Sequence, residues 1–267
     1  MKGTVFQRPL EFNLQVEGET WAQGDVIKGV LVVKNHGNEP ASLADVRVRL
    51  ALGKLSKVRQ KVSDAFKIVS TAAIVRQGAE APVDRTFIMD PNGVVQPGGE
   101  ASFEWKFQTD RNCPITDNLS SLFLVYGRGE ATDVLGALQL AVQPHSLIRM
   151  YLDALNIEFR FIPKGQKASK GRVEAKFDPP SSQNYASLES AVLFFRFEGE
   201  NLVIDYVFNV KKIEANAASF EVQKKAKELT HTITPRQYLN SSGQVDHGCL
   251  EESIKDALST VAAKILF

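Results

Sequence analysis

The sequence predicts an all-β protein of two β-sandwich domains, with a short helix at their junction and an amphipathic helix at the C-terminal end. Three observations carry that expectation. Residues 10–53 and 94–131 alternate apolar with polar residues around glycine-containing turns, as the strands of half-buried antiparallel sheets do. Similar short runs recur after residue 156. Helical spacing replaces them only after Pro144 and again near the end of the chain.

Taken in order, Phe12, Leu14 and Val16 share one face, with Asn13, Gln15 and Glu17 on the other. Gly18 and Gly24 bound a turn, and Val26 to Lys34 is rich in β-branched residues, which suit a pleated surface. Val46, Val48, Leu50 and Leu52 alternate with Arg47, Arg49 and Ala51; Phe103, Trp105 and Phe107 alternate with Glu104, Lys106 and Gln108. Leu122, Leu124 and Tyr126 form another strand, and Val134 to Val142 one more. Weaker strand signals lie at Phe66 to Val75 and Arg85 to Met89. Seven or eight short strands separated by turn chemistry read as a sandwich over residues 1–143.

Pro144 suits a first helical turn, and Leu147 or Ile148, Tyr151 or Leu152, and Leu155 follow at helical spacing. Residues 144–267 therefore form a second domain, opened by a helix over 144–156. Alternation resumes at Ile157, Phe159 and Phe161, and continues after a loop, PKGQKASKG, at Val173, Ala175 and Phe177. Leu193, Phe195 and Phe197, the turn EGEN, and Leu202 to Val210 read as a hairpin. Residues 214–236 are ambiguous, since EVQKKAKEL fits a helix and THTIT a strand. Leu250, Ile254, Ala257, Val261 and Ile265 form the stripe of a helix over 250–265.

Composition narrows the function. With 43% hydrophobic and 24% charged residues the chain is of globular type. The 32 basic residues nearly cancel the 31 acidic ones, which argues against a dedicated nucleic-acid binder. The opening MKGTVFQRPLEF lacks the apolar core of an export signal, and runs such as AVLFF at 191–195 are too short to cross a bilayer. A cytoplasmic protein is expected. Cys113 and Cys249 are then reduced thiols rather than a bridge, and the sequons at Asn118 and Asn240 are inert.

The stretches at 10–53 and 94–131 together resemble the amino-terminal sandwich of arrestin-type proteins. The run LQLAVQPHSLIRMYLDALNIEFRFI resembles the bacterial sporulation-control family within that class, through Val142-Gln143-Pro144, Leu152-Asp153-Ala154-Leu155, and Glu158-Phe159 where the family has Gly-Phe. EAKFDPPSSQNYASLESAVLFF resembles that family's next strand, tyrosine and acidic strand opening. The likeness covers most of residues 10–213, and Glu214 to Phe267 follows it only vaguely. It implies an arrestin-like scaffold of two sandwiches, working in the cytoplasm through protein contacts and tied to developmental regulation in spore formers. No catalytic, cofactor or metal residue comes with it. The buried charges by which eukaryotic arrestins sense phosphate find no counterpart in these residues.

Two basic clusters are the candidate partner-binding residues. Lys54, Lys57, Arg59 and Lys61 follow the strand ending near Leu52, and Lys164, Lys167, Lys170 and Arg172 lie in the loop after Phe161. Either set suits an acidic partner, a phosphorylated peptide or an anionic membrane surface; as single loops, both also read as charges that keep a β protein soluble. Asp246-His247-Gly248-Cys249, with Glu251 and Glu252, is the one enzyme-like cluster. His247 and Cys249 do not share a helix face, and no second ligand pair stands at a recognised spacing, so the run reads as a turn before the last helix. His36, His145 and His231 are scattered, Gly127 and Gly129 lack the setting of a nucleotide loop, and Trp21 and Trp105 read as core. The expected function is that of a non-enzymatic adaptor without cofactor, with a membrane-surface or trafficking adaptor using the basic loops and a metal or thiol enzyme at Asp246–Cys249 as the alternatives.

Overall fold

The structure, a computed structural model, describes residues 1–60, 64–76, 93–129, 135–216 and 219–262, with the main chain alone for 212–216 and 219–223. Lys61, the strand expected at Arg85 to Met89, Val134 and Ile265 lie outside the described residues. The chain divides into two units, one of Met1–Asp110 with Pro114–Gln143, the other of Arg111–Cys113 with Pro144–Phe267.

In the first unit the strands run β1 (Lys2–Gln7), β2 (Leu10–Val16), β3 (Thr20–Ala22), β4 (Val26–Asn35), β5 (Ala41–Ser42), β6 (Val46–Lys54), β7 (Phe66–Thr71), β8 (Ala73–Arg76), β9 (Val94–Val95), β10 (Glu100–Gln108), β11 (Ser120–Arg128), β12 (Gly136–Gln139) and β13 (Ala141–Gln143), with helix α1 (Leu55–Arg59) after β6. One sheet has the order β1-β2-β4-β10-β8 and the other β12-β11-β6-β7. Their inner faces hold the alternating residues read from the sequence. Phe12, Leu14, Leu31, Phe103 and Trp105 on one side, and Val46, Val48, Leu50, Leu122 and Leu124 on the other, are all buried. Each large apolar side chain so buried contributes about 1.5–3 kcal/mol.

Close packing sets some residues that alternation does not. A Cβ on Gly29 would lie 2.0 Å from the Gln15 carbonyl oxygen and 2.8 Å from the Trp105 ring, so glycine here makes room for the tryptophan. Three expectations change. The weak strand at Phe66 to Val75 is two strands in different sheets, because the chain crosses from β7 to β8 at Ala72. The strand ending at Val142 breaks at Leu140 into β12 and β13, the latter pairing in parallel with β3. The segment after Leu52 is a short helix rather than a loop. Its Leu55 and Val58 join Phe66, Ile68 and Leu135 over Ala51, Phe123 and Val125, a small second core on the sheet's outer face.

In the second unit α2 (Ser146–Ile157) precedes β14 (Ile162–Ser169), β15 (Arg172–Asp178), β16 (Leu188–Glu198), β17 (Asn201–Asn216) and β18 (Ser219–Ile233), followed by α3 (Pro235–Tyr238) and α4 (His247–Ser259). The five strands form one antiparallel sheet in sequence order. Register rows Val173-Phe195-Ile204, Ala175-Leu193-Tyr206 and Phe177-Ala191-Phe208 make its buried face. Against it lies a helical layer, with Leu147, Tyr151, Leu152 and Leu155 of α2 and Leu250, Ile254 and Leu258 of α4 all buried. The second layer of this unit is thus helical among the described residues.

The strand expected at Ile157 to Phe161 is not formed. The helix continues through Ile157, Arg160 takes φ 60, and Phe161 bonds back to the Leu155 carbonyl. That reversal leaves Ile157 exposed and buries Phe161 completely. PKGQKASKG is strand β14 and a two-residue turn, with Lys170 and Gly171 both at positive φ, the geometry that suits a tight hairpin. EVQKKAKEL is strand, since pairing along β17 overrides its helical propensity. The last helix starts at His247 and ends at Ser259, where the Ser259 and Thr260 hydroxyls donate to the Asp256 and Ala257 carbonyls and compete with the helical ladder.

Candidate functional site

The basic residues after β6 sit on and around α1. Lys54 and Arg59 are exposed, and the Lys57 ammonium pairs with Asp64. That ammonium holds the Asp64 carboxyl below its ordinary value. The carbonyl of Leu119, a residue 70% exposed, accepts the Leu55 amide at the start of this helix.

The second basic set belongs to the other unit and is largely neutralised within its own sheet. Lys164 reaches Asp178 at 2.7 Å, Lys167 reaches Glu174 at 2.9 Å, and Arg172 reaches Asp205 at 3.3 Å. Lys170 sits in the hairpin turn. Strand pairing explains this, because Lys167 and Glu174 are direct partners across β14 and β15. Asp205 is the centre of a network the sequence did not reveal. Arg196 pairs with it alongside Arg172, the Thr230 hydroxyl donates to it at 2.8 Å, and Arg172 lies 4.8 Å over the Phe194 ring. Residues 172, 194, 205 and 230 are far apart in sequence and meet only through the register of β15 to β18.

At the Asp246 cluster the geometry is that of a helix start. The Asp246 carboxylate accepts the amides of Gly248 at 2.9 Å and Cys249 at 3.4 Å, capping α4 as aspartate favours. His247 is its first helical residue, so the turn read from the sequence is the N-terminus of the helix itself. Burial first, and then Asp246 and Glu252, push the Cys249 thiol up. A raised thiol holds less thiolate and is a poorer nucleophile and ligand. Among the described residues no group of three or more His, Cys, Asp or Glu side chains is placed to hold a metal.

The remaining histidines have local partners. His36 contacts Glu11 at 2.6 Å, the His145 ring accepts the Leu147 amide at the start of α2, and His231 meets the Ser253 hydroxyl at 3.2 Å. Ser253 also lies 3.4 Å from the Tyr151 hydroxyl, which bonds to Tyr206. This chain of side chains ties α2 and α4 to the sheet. Neither Cys113, which is buried, nor Cys249 forms a disulfide in this structure. No described helix is long and apolar enough to cross a membrane.

The chain matches no protein-family model and no curated protein. Among solved structures it is similar to the sporulation control protein Spo0M from Bacillus subtilis, at 14% identity and a TM-score of 0.59, over 96% of this chain and 100% of that one. Two others share much less. The secreted serine protease VesC from Vibrio cholerae gives a TM-score of 0.24 at 11% identity, over 83% of this chain and 43% of that one. The CupB2 chaperone from Pseudomonas aeruginosa gives 0.20 at 12% identity, over 80% and 98%. Neither of these two carries an argument about this chain. The likeness to Spo0M is one of fold, and it makes this chain an all-β protein with an arrestin-like, Spo0M-like architecture.

Proposed function

We propose that this protein is a non-enzymatic, cytoplasmic regulatory scaffold of sporulation-control type, acting through protein–protein contacts. The observation that carries the reading is the end-to-end structural likeness to a sporulation control protein. Local chemistry supports it. Asp246 is engaged as a cap and the Cys249 thiol is pushed up, so the cluster most like a catalytic centre is built as a helix terminus. The membrane-surface alternative is weakened because Lys164, Lys167 and Arg172 already face carboxylates of their own sheet.

The test is affinity capture of the full chain from its native host, beside the His247→Ala/Cys249→Ala variant. The same partners are expected on both. Loss of partners from that variant alone, with folding intact, would sink the scaffold reading and favour a metal or thiol centre.

A further inference from the structure

We propose that the outer edge of β18 is a docking edge for an extended acidic segment of a partner protein, which adds to the sheet as a further strand. The proposal rests on the scaffold reading above and names where and what such a scaffold binds. The two edges of the second unit's sheet differ in kind. At β14, Pro163 removes an amide and the register shifts between Pro163 and Gly165. Such features keep a foreign strand from pairing.

β18 has none of the backbone guards. It runs for 15 residues without Pro or Gly and pairs with β17 in unbroken register. Among the described residues, the main chain of 224–232 makes no backbone hydrogen bond except to β17. Its outward N–H and C=O groups are a template for another strand.

Charge selects the occupant. Lys224, Lys225 and Lys227 are exposed, with Glu228 as the one carboxylate of that run. Alternation puts Lys225 and Lys227 on one face and Lys224 on the other. Lys224 is met by Glu189 and Lys227 donates to the Thr260 carbonyl, while Lys225 has no partner among the described residues. An incoming strand therefore meets positive charge on the face of Lys225 and Lys227, while the other face carries Glu228 beside a Lys224 already met by Glu189. A second copy of this chain would set its own lysine-rich run against the same residues, and facing like charges are destabilising. An acidic strand gains opposite-charge pairs instead. Main-chain bonds then supply affinity and the spaced lysines supply selection.

The probe is a displayed library of random peptides selected on the full chain. Selected sequences are expected to alternate Asp or Glu with β-branched residues. In hydrogen exchange they should protect amides within 224–232 alone. The charge-reversed variant Lys225→Glu/Lys227→Glu should bind them about tenfold or more weakly, with its fold retained by circular dichroism at the assay temperature. Methylating alternate backbone nitrogens of the peptide should abolish binding on unaltered protein. Non-acidic selected sequences, protection elsewhere, or binding that survives N-methylation overturns the proposal. So does concentration-dependent protection of 224–232 in the free protein, which would place a second copy there. Host partners kept by the charge-reversed variant would sink this edge and leave the scaffold reading standing. A wild-type chain that captures no partner at all would fell the scaffold reading itself.

Discussion

Burial pushes the Tyr206 hydroxyl up to about 12, from an ordinary 10.0. The Tyr151 hydroxyl is also raised, first by burial and then by Tyr206. Both groups are neutral when protonated, and folding favours that form. The stability they contribute is complete below pH 10 and is lost as pH climbs toward 12. Thermal melts across that window should show a steep alkaline fall, and Tyr206→Phe should make it shallower. An identical fall in the variant would mean that other groups set the alkaline limit. Gly29 gives a second test at this scale. Gly29→Ala places a carbon against the Gln15 carbonyl and should cost about 1–3 kcal/mol by overcrowding, read from denaturant melts. Trp105 was legible as core from its strand phase, whereas Gly29 was not, because the demand for glycine comes from a neighbouring strand and from Trp105.

Among the elements, those whose apolar period persists were legible. β2, β4, β6, β10 and the hairpin of β16 and β17 all fall where alternation puts them, and α2 falls where the spacing after Pro144 puts it. Leu155 is 3% exposed on the buried face of α2, and Leu155→Ala should destabilise by about 2–5 kcal/mol in chemical denaturation. A change within measurement error would show that the helix layer contributes little. The elements that were misread are those set by pairing or by local reversal. β14 has no buried phase to read, and its eight residues are strand because β15 pairs with them. Arg111–Cys113 is a further case, grouping with the second unit although strands of the first lie on both sides of it in sequence. There Asn112 donates to the Phe197 carbonyl at 2.8 Å and accepts the Phe197 amide at 2.7 Å. Asn112→Ala leaves both backbone groups without this partner and should cost about 1–3 kcal/mol. An unchanged melting curve would mean that water replaces both bonds without loss.

For the molecule as a whole, the basic residues singled out in the sequence are placed very differently by the fold. Lys164, Lys167 and Arg172 are spent on Asp178, Glu174 and Asp205, a pairing that strand register creates and one-dimensional spacing cannot reveal. Lys54 and Arg59 remain exposed around α1, so they are the better test of electrostatic steering. Neutralising Lys54, Lys57, Arg59 and Lys61 should slow association with an acidic partner, most at low salt, because exposed charges act over a Debye length of about 10 Å at 0.1 M. Melting temperature should barely move, since exposed ion pairs such as Lys57 with Asp64 are worth about 0–1 kcal/mol. Neutralising Lys164, Lys167 and Arg172 instead strips Asp178 and Glu174 of these partners and leaves Asp205 with Arg196 and the Thr230 hydroxyl. That variant should lower stability at least as much as it lowers association. Association rates at low and high salt, set beside melting curves for both variants, separate the two roles. If the α1 variant lost stability and kept its association rate, the exposed cations would be structural, and partner steering would have to come from elsewhere on the molecule.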